Sequence, residues 1–214
     1  MPVCAWCFVA LDLLFPVTGG PVPTDHLYPL YAALSRVVPT AHDPAAGVRF
    51  APFTGDPAGR GRLALTTRSR LRVRVPDDAV RLALPLAGAR VEVAGAVVRV
   101  GVPAVAALVP APVLAARVVT FKHATDPARF LETTRARLAG LGVAGEPAIP
   151  PAAAGPRAGE PQRRVVRVKG SAVVGYALVV SGLSPADSLT LQTAGLGGRT
   201  RIGCGFFLPP RDDA

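Results

Sequence analysis

The sequence GLGGRTRIGCG, residues 195–205, is the stretch on which the interpretation of the whole chain depends. It sets five glycines around Arg199 and Arg201, between a predicted helix and a predicted strand. Mononucleotide and dinucleotide loops run in the opposite order, from strand to helix, and the sequence has no Gly-Lys-Ser/Thr signature. Because glycine accepts positive φ angles, consecutive backbone N–H groups of such a loop can converge on one anion. The loop therefore predicts a polyanion-binding site, and a helix cap followed by a turn is the alternative. The expected contact residues are Gly195, Gly197, Gly198, Arg199, Arg201 and Gly203.

The charge of the chain also indicates a polyanionic partner. Its 214 residues carry 24 basic and 14 acidic side chains, a formal net charge of +10, and all but two of the basic residues are arginine. Six arginines lie between residues 60 and 74 with no acidic residue among them. A basic stripe of this kind is typical of nucleic-acid-binding proteins. We expect Arg70, Arg72 and Arg74 to form an RNA-binding face of a strand, and a merely solvated face is the alternative.

Composition limits the other classes of function. Half of the residues are hydrophobic, which predicts a folded protein with one large core or two small ones. The longest uncharged run, Val100–Ala116, is too short and too rich in proline to span a membrane. The first residues lack the basic region of a secretory signal, so a cytoplasmic protein is expected. The three cysteines predict neither a disulfide framework nor a metal site, and no motif indicates a cofactor.

Hydrophobic periodicity predicts the order β-α-β-β-α-β in an N-terminal domain of residues 1–110. The predicted elements are a strand at Cys7–Phe15, a helix from Thr24 or Asp25 to about Val38, strands at Val48–Phe53 and Leu63–Val75, a helix from Asp77 to Leu84, and strands at Arg90–Val93 and Val97–Val102.

The proline-rich stretch Pro103–Pro112 separates this half from a C-terminal domain, residues 111–214, in which the same order recurs. The predicted elements are a strand at Val113–Phe121, a helix capped by Asp126 and running to Ala139, an extended or mobile insertion at Gly142–Pro161, a hairpin of Arg163–Val168 with Ala172–Ser181, a helix from Ser184 to Ala194, and a strand at Ile202–Leu208. The predicted fold class is therefore α+β, with two tandem ferredoxin-like (RRM-like) βαββαβ units.

Together with this topology, three motifs carry a resemblance to a known family: TDHLYPLYAALS at residues 24–35, SRLRVRVP at 69–76 and GLGGRTRIGCGFF at 195–207. The chain resembles the CRISPR repeat-RNA processing endoribonucleases of the RAMP superfamily, and is most similar to the branch named for myxobacterial systems. The resemblance covers essentially the whole chain, and the glycine loop is its most specific part. It implies metal-independent cleavage of CRISPR repeat transcripts by the ribose 2′-OH, which leaves a guide RNA and a 2′,3′-cyclic phosphate. The implied partners are CRISPR repeat RNA and guide RNA, with other subunits of an effector complex as further candidates.

His26 is the expected catalytic residue. Cleavage by a 2′-OH needs a group to accept its proton and a group to protonate the departing 5′ oxygen, and histidine suits either role. His26 matches the family's usual position and lies near a predicted helix N-terminus, which favours the neutral imidazole. Tyr31 is the second candidate, because some family members pair the histidine with a tyrosine from this region. At about 100° per residue, Tyr31 points away from His26, so core packing is the alternative for it.

Two other functions are consistent with the sequence. A non-catalytic RNA-binding subunit of a CRISPR effector complex would share the fold and the glycine loop but would use His26 only structurally. An unrelated α+β enzyme for a small anionic substrate would need a paired acid and base, for which the sequence offers no motif.

Overall fold

The chain forms two compact units, and the division between them falls at Leu108 and Val109. The computed structural model describes residues 10–210, so the first part of the predicted strand at Cys7–Phe15 lies outside the described residues. The predicted boundary, after residue 110, lies slightly further along the chain.

The N-terminal unit combines an antiparallel sheet with two helices. Its strands are β1 (Ala10–Gly19), β2 (Val22–Pro23), β3 (Arg49–Phe50), β4 (Asp56–Pro57), β5 (Arg62–Ala64), β6 (Arg70–Pro76), β7 (Arg90–Val93), β8 (Ala96–Val100) and β9 (Ala104–Ala107); its helices are α1 (Leu27–Val37) and α2 (Val80–Ala83), with 3₁₀ turns at Pro39–His42, Pro44–Ala46, Asp77–Ala79 and Leu84–Leu86. The main sheet has the order β3-β6-β1-β8-β7, with β9 also paired to β1, while β2, β5 and β4 form a small separate sheet.

Alternation of apolar residues places the core on one face of the main sheet. Leu13 and Phe15 of β1 lie opposite Val73 and Leu71 of β6, and all four are fully buried. Helix α1 adds Leu27, Leu30 and Leu34 at helical spacing, and these side chains are buried as well. Removing a side chain of this size from water contributes about 1.5–3 kcal/mol, so this face dominates the stability of the unit.

Several predicted bounds in this unit differ from the structure, and two of the differences have a clear physical reason. The predicted strand Leu63–Val75 is divided into β5 and β6, because residues 66–69 turn, with Ser69 N–H donating to Thr66 O at 2.9 Å and Ser69 Oγ accepting from Thr66 N–H. The proline-rich stretch is not only a linker, since β9 lies within it and pairs with β1. Backbone pairing at an exposed edge needs no apolar pattern, which explains why periodicity missed this strand.

The C-terminal unit has the same plan. Its strands are β10 (Leu114–Val119), β11 (Glu146–Ala148), β12 (Arg163–Val168), β13 (Ser171–Ser181) and β14 (Phe207–Leu208), and its helices are α3 (Pro127–Gly140) and α4 (Pro185–Ala194), with a 3₁₀ turn at Thr200–Ile202. The sheet order is β11-β13-β10-β14, with β12 also paired to β13. The caps follow the prediction: Asp126 accepts from two backbone N–H groups at the start of α3, and Ser184 accepts from Asp187 N–H at the start of α4.

Residues 149–162 form an arm that interrupts one strand of this sheet. Strands β11 and β12 pair with successive parts of β13: Ala148 lies opposite Val179, and Arg163 lies opposite Tyr176. The arm closes on itself, with Ala152 N–H donating to Glu160 O at 2.8 Å and Gly159 N–H donating to Ala152 O at 2.9 Å. The predicted extended or mobile insertion, Gly142–Pro161, therefore contains β11 and most of a hydrogen-bonded excursion from the middle of a strand.

Candidate functional site

His26 is fully buried, and both of its ring nitrogens bond to the backbone. The residue occupies the N-cap position of α1 and has 0% exposed surface. Nδ1 lies 2.7 Å from Pro23 O, and Nε2 accepts from Phe53 N–H at 2.9 Å. Because a carbonyl only accepts, Nδ1 carries the proton and the ring is the neutral tautomer. The ring also stacks on Phe53, with centroids 5.3 Å apart. This geometry favours a structural role for His26, and its catalytic role stays a prediction.

A second histidine, His42, is exposed and bonds to Tyr31. It ends the 3₁₀ turn that follows α1, and its Nδ1 lies 2.8 Å from Tyr31 Oη. The two rings meet edge to face at 5.6 Å. Tyr31 is buried against Phe50, and its hydroxyl also donates to Ala41 O at 3.5 Å. The predicted candidate Tyr31 thus holds a solvent-facing imidazole, but that imidazole belongs to His42.

The pairing of Tyr31 with His42 had no periodic signal in the sequence. Helix α1 ends at Val37, and Pro39 begins the turn that carries the chain back along the helix. This reversal brings His42 to the buried side on which Tyr31 lies. Proline after the predicted helix end was the local sign of a turn, but the direction of that turn depends on tertiary packing.

Hydrogen bonds within the protein occupy much of the glycine loop. Gly198 N–H donates to Thr120 O at 2.8 Å and Gly205 N–H donates to Val118 O at 2.7 Å, which fastens the loop to the end of β10. A Cβ on Gly205 would lie 1.9 Å from Leu196 O, and a Cβ on Gly197 would lie 2.7 Å from Thr120 O. The glycines therefore permit close approach of backbone to backbone, whereas the sequence analysis assigned them to an anion-binding row of N–H groups.

The tip of the glycine loop is nevertheless exposed and basic. Gly197, Gly198 and Arg199 are exposed, and Arg199 adopts the left-handed conformation with φ of 60°. Thr120 Oγ1 donates to Gly198 O at 3.1 Å, and exposed Lys122 and His123 follow Thr120 closely along the chain. The basic tip, defined here as Arg199, Lys122 and His123, thus adds Lys122 and His123, which the sequence did not single out, to the predicted Arg199.

The three predicted strand arginines do not form a solvated face. Arg74 is 2% exposed, and its Nε and Nη2 donate to the two carboxylate oxygens of Asp12 at 2.8 and 3.0 Å. Arg72 Nη1 donates to the same carboxylate at 2.6 Å, and Arg70 Nη1 donates to the backbone oxygens of Thr67 and Ser69. The burial of Arg74 contradicts an exposed RNA-binding role for that residue, whereas Arg70 and Arg72 are partly exposed and their role in RNA binding stays a prediction. Asp12 lies directly opposite Arg74 in the ladder between β1 and β6, a pairing that required the register of two distant strands.

Within residues 10–210, two kinds of feature are absent. No group of three or more His, Cys, Asp or Glu side chains could hold a metal ion. No helix in the same range has the length and apolarity needed to cross a membrane.

Comparison with known proteins identifies the family. The profile of a family described as Cas6 Crispr matches residues 11–212. The chain belongs to the Cas6 family. It is 45% identical over 202 residues to the CRISPR-associated endonuclease Cas6 of Myxococcus xanthus, an alignment that covers 94% of this chain and 82% of that protein. These matches confirm the predicted family and its myxobacterial branch, and with them the expectation of a CRISPR-associated enzyme.

Solved structures of Cas6 proteins share the fold. One CRISPR-associated protein Cas6 aligns with a TM-score of 0.66 at 10% identity, covering 95% of this chain and 99% of that one. A Cas6-related protein from Pyrococcus furiosus aligns with a TM-score of 0.59 at 12% identity, covering 93% and 98%. A RAMP protein described as binding different RNA substrates gives a TM-score of 0.60 at 12% identity, with the same coverage. The predicted α+β class with tandem ferredoxin-like units is confirmed.

Proposed function

We propose that the chain is an endoribonuclease that cleaves CRISPR repeat transcripts into guide RNAs, with His42 as the residue that transfers protons and Tyr31 as the residue that orients its ring. The observation that carries this proposal is the 2.8 Å hydrogen bond between Tyr31 Oη and Nδ1 of the exposed His42. The 45% identity to a CRISPR-associated endonuclease supports the reaction class. In this proposal His26 positions the segments on either side of α1.

A tyrosine hydroxyl can hold the imidazole in either state of the reaction. When the neutral ring of His42 carries its proton on Nδ1, Tyr31 Oη accepts a hydrogen bond from Nδ1–H and turns its own hydrogen toward Ala41 O, which leaves the Nε2 lone pair to take the proton of the 2′-OH. The ring is then the imidazolium: Nδ1–H still donates to Tyr31 Oη, and Nε2–H can protonate the departing 5′ oxygen. Tyr31 therefore fixes the ring orientation through both halves of the proton transfer.

The bond changes of the proposed reaction balance without a cofactor. The 2′ oxygen loses its proton and forms a bond to the adjacent phosphorus. The bond from phosphorus to the 5′ oxygen breaks, and the 5′ oxygen gains a proton. The products are a 2′,3′-cyclic phosphate and a 5′-hydroxyl. We propose that this cleavage is independent of metal ions, because imidazole chemistry suffices for both proton transfers.

The test is cleavage of the cognate repeat RNA in the presence of a chelator. We expect one cut at full rate, and no cut in an RNA with a 2′-deoxy sugar at the scissile position. Strict dependence on added magnesium would remove the metal-independent mechanism. Cleavage of the 2′-deoxy RNA would remove attack by the 2′-OH, and failure to cut any repeat RNA would leave a non-catalytic RNA-binding protein.

The basic tip is the proposed contact with the RNA backbone. Arg199→Gly removes the charge and suits the left-handed φ, so the loop stays folded. We expect this change to reduce the slope of log affinity against log salt by about 0.7, the value for one phosphate contact on a single strand. Arg74→Met is the matched comparison: it should destabilise the protein by about 3–5 kcal/mol, because it breaks a buried ion pair, and leave the salt slope unchanged. A wild-type salt slope in Arg199→Gly would contradict the proposed contact.

A further inference from the structure

One half-buried arginine in the C-terminal unit has a buried donor atom without a partner. Arg164 lies on β12, and its Nε is buried without a hydrogen-bond partner; among residues 10–210 it is the one such side-chain atom. Burial lowers the pKa of Arg164 below its ordinary value. A buried donor that gives up its water and bonds to nothing destabilises the folded chain unless a ligand supplies an acceptor.

The arm at residues 149–162 builds a pocket against this arginine. The pocket has a volume of about 430 Å³, and its polar lining comes from Arg157, Gln162, Arg163 and Arg164. Its other walls are Pro156 and the three alanines at 152–154. The walls are held in place: Gln162 N–H donates to Pro150 O at 2.9 Å, and Ala177 N–H on β13 donates to Gln162 O at 3.0 Å.

The lining selects an anion of compact shape. Three arginines and one glutamine are among the lining residues, and no acidic residue is part of the lining. The one ion pair nearby, between Arg157 and Glu160, is 3.9 Å long and mostly exposed, so it neutralises Arg157 only weakly. No aromatic side chain lines the pocket, which leaves a nucleobase without a stacking partner. Planar guanidinium groups match the oxygens of a phosphate.

We propose that this pocket is a phosphate-binding subsite that receives one backbone phosphate of the RNA, with Arg164 as its central donor. The phosphate chemistry follows from the pocket, and only the choice of RNA as the carrier rests on the proposed function. The subsite lies in the C-terminal unit on an arm to which no cleavage role is assigned. It therefore contributes to RNA affinity and leaves the chemical step unchanged.

The test compares Arg164→Met with Arg137→Met, an exposed arginine on α3 that does not line the pocket. Binding of the repeat RNA is measured across a series of KCl concentrations, with the thermal unfolding midpoint of each variant as a check on folding. We expect Arg164→Met to lower affinity about 10- to 100-fold, the range for losing a hydrogen bond to a charged group. The salt slope should fall by about 0.7, and Arg137→Met should bind like the wild type.

Further measurements distinguish binding of free phosphate from binding of an RNA phosphate, and distinguish a loss of binding from a loss of cleavage. Inorganic phosphate should raise the unfolding midpoint of the wild type above that in KCl of equal ionic strength, and should not do so in Arg164→Met. A deletion of residues 149–160, which removes most of the pocket, should reproduce the loss of affinity. The single-turnover cleavage rate at saturating protein should stay within about twofold of wild type in each variant.

Unchanged RNA affinity and an unchanged salt slope in Arg164→Met would overturn the proposal, even if inorganic phosphate stabilises the wild type. If the unfolding midpoint of Arg164→Met were then higher than that of the wild type, Arg164 would be a structural residue with an unsatisfied donor. A wild-type protein that binds repeat RNA through Arg164 but cuts none would refute the proposed function and support the subsite.

Discussion

At the scale of single residues, the two histidines beside α1 divide structural and chemical roles between them. His26 gives both ring nitrogens to the backbone, whereas His42 shares one with a tyrosine and is exposed. The sequence singled out His26 because helix position and family position agreed. It could not reveal burial, since exposure depends on the segment around Phe53 that packs over the ring.

We predict that His42→Ala lowers the single-turnover rate of repeat cleavage by about 10²- to 10⁴-fold, the usual range for a general acid or base. RNA binding and the unfolding midpoint should change little, because His42 is exposed. Tyr31→Phe should cause a smaller loss of rate, since it removes only the hydroxyl that orients the ring.

His26→Ala is the control with the opposite expected outcome. It leaves Phe53 N–H and Pro23 O without their partner, at a cost of about 1–3 kcal/mol for each buried group, so stability should fall while the rate per folded molecule is kept. A folded His26→Ala protein that does not cleave, together with a fully active His42→Ala, would restore the assignment made from the sequence.

Arg49 gives a pH-dependent prediction. Burial, and then the adjacent charge of Arg74, lower its pKa from the ordinary arginine value to about 10. The folded state therefore binds this proton less tightly than the unfolded chain, and the resulting destabilisation is full below pH 10 and declines as pH rises above 10. Arg49→Met should raise the free energy of unfolding at pH 7 by about 1–3 kcal/mol, with a smaller gain above pH 10.

Chemical denaturation of Arg49→Met at pH 7 and at pH 10.5 measures this difference. The exposed Arg81 supplies the control, since Arg81→Met should match the wild type at both pH values. A loss of stability in Arg49→Met at pH 7 would mean that the guanidinium makes a net favourable contact.

At the scale of elements, the glycine loop shows what a sequence pattern can and cannot specify. Its position between α4 and the last strand was predicted, and its exposed tip fits the predicted basic site. The use of its glycines was not predictable, because the carbonyls of Val118, Thr120 and Leu196 approach them only after the sheet has formed.

Two alanine substitutions separate close packing from exposure in this loop. Gly205→Ala introduces a methyl 1.9 Å from Leu196 O at a φ of 63°, so we expect a loss of about 3 kcal/mol or more. Gly198→Ala meets nothing closer than 3.5 Å and should cost less than about 1 kcal/mol. Thermal unfolding of both variants is the measurement, and equal losses would contradict the packing role.

The solvent-facing position predicted for Arg74 of β6 is wrong for a reason that also belongs to the scale of elements. Alternation correctly predicted that Leu71, Val73 and Val75 are buried on one face of β6. The opposite face could be assigned to solvent only if nothing acidic lay beside it, and Asp12 is sixty-two positions away from Arg74 in sequence. Cross-strand partners at such separations depend on register, which a local pattern does not contain.

At the scale of the whole molecule, each unit has a four-stranded ferredoxin-like order that was predictable from the alternation of strands and helices. The additional pieces were not: β9, the small sheet of β2, β4 and β5, and the division of one strand into β11 and β12. These short segments have too few residues to show a period.

Deleting residues 149–160 should restore a continuous strand in the C-terminal unit. Pro161 and Gln162 would then lie opposite Leu178 and Ala177, between the pairs Ala148 with Val179 and Arg163 with Tyr176. Because the register is unchanged, the core residues keep their faces, and we expect an unfolding midpoint within a few degrees of wild type. Circular dichroism and thermal unfolding test this; a molten or aggregated variant would show that the arm is needed for folding.

Since the ladder on both sides of the arm is fixed by β13, the arm can vary in length and composition while the sheet stays as it is. Its outer turn, around Gly155, is a natural point of attachment for a fluorophore or a fused module, with both of its ends already anchored.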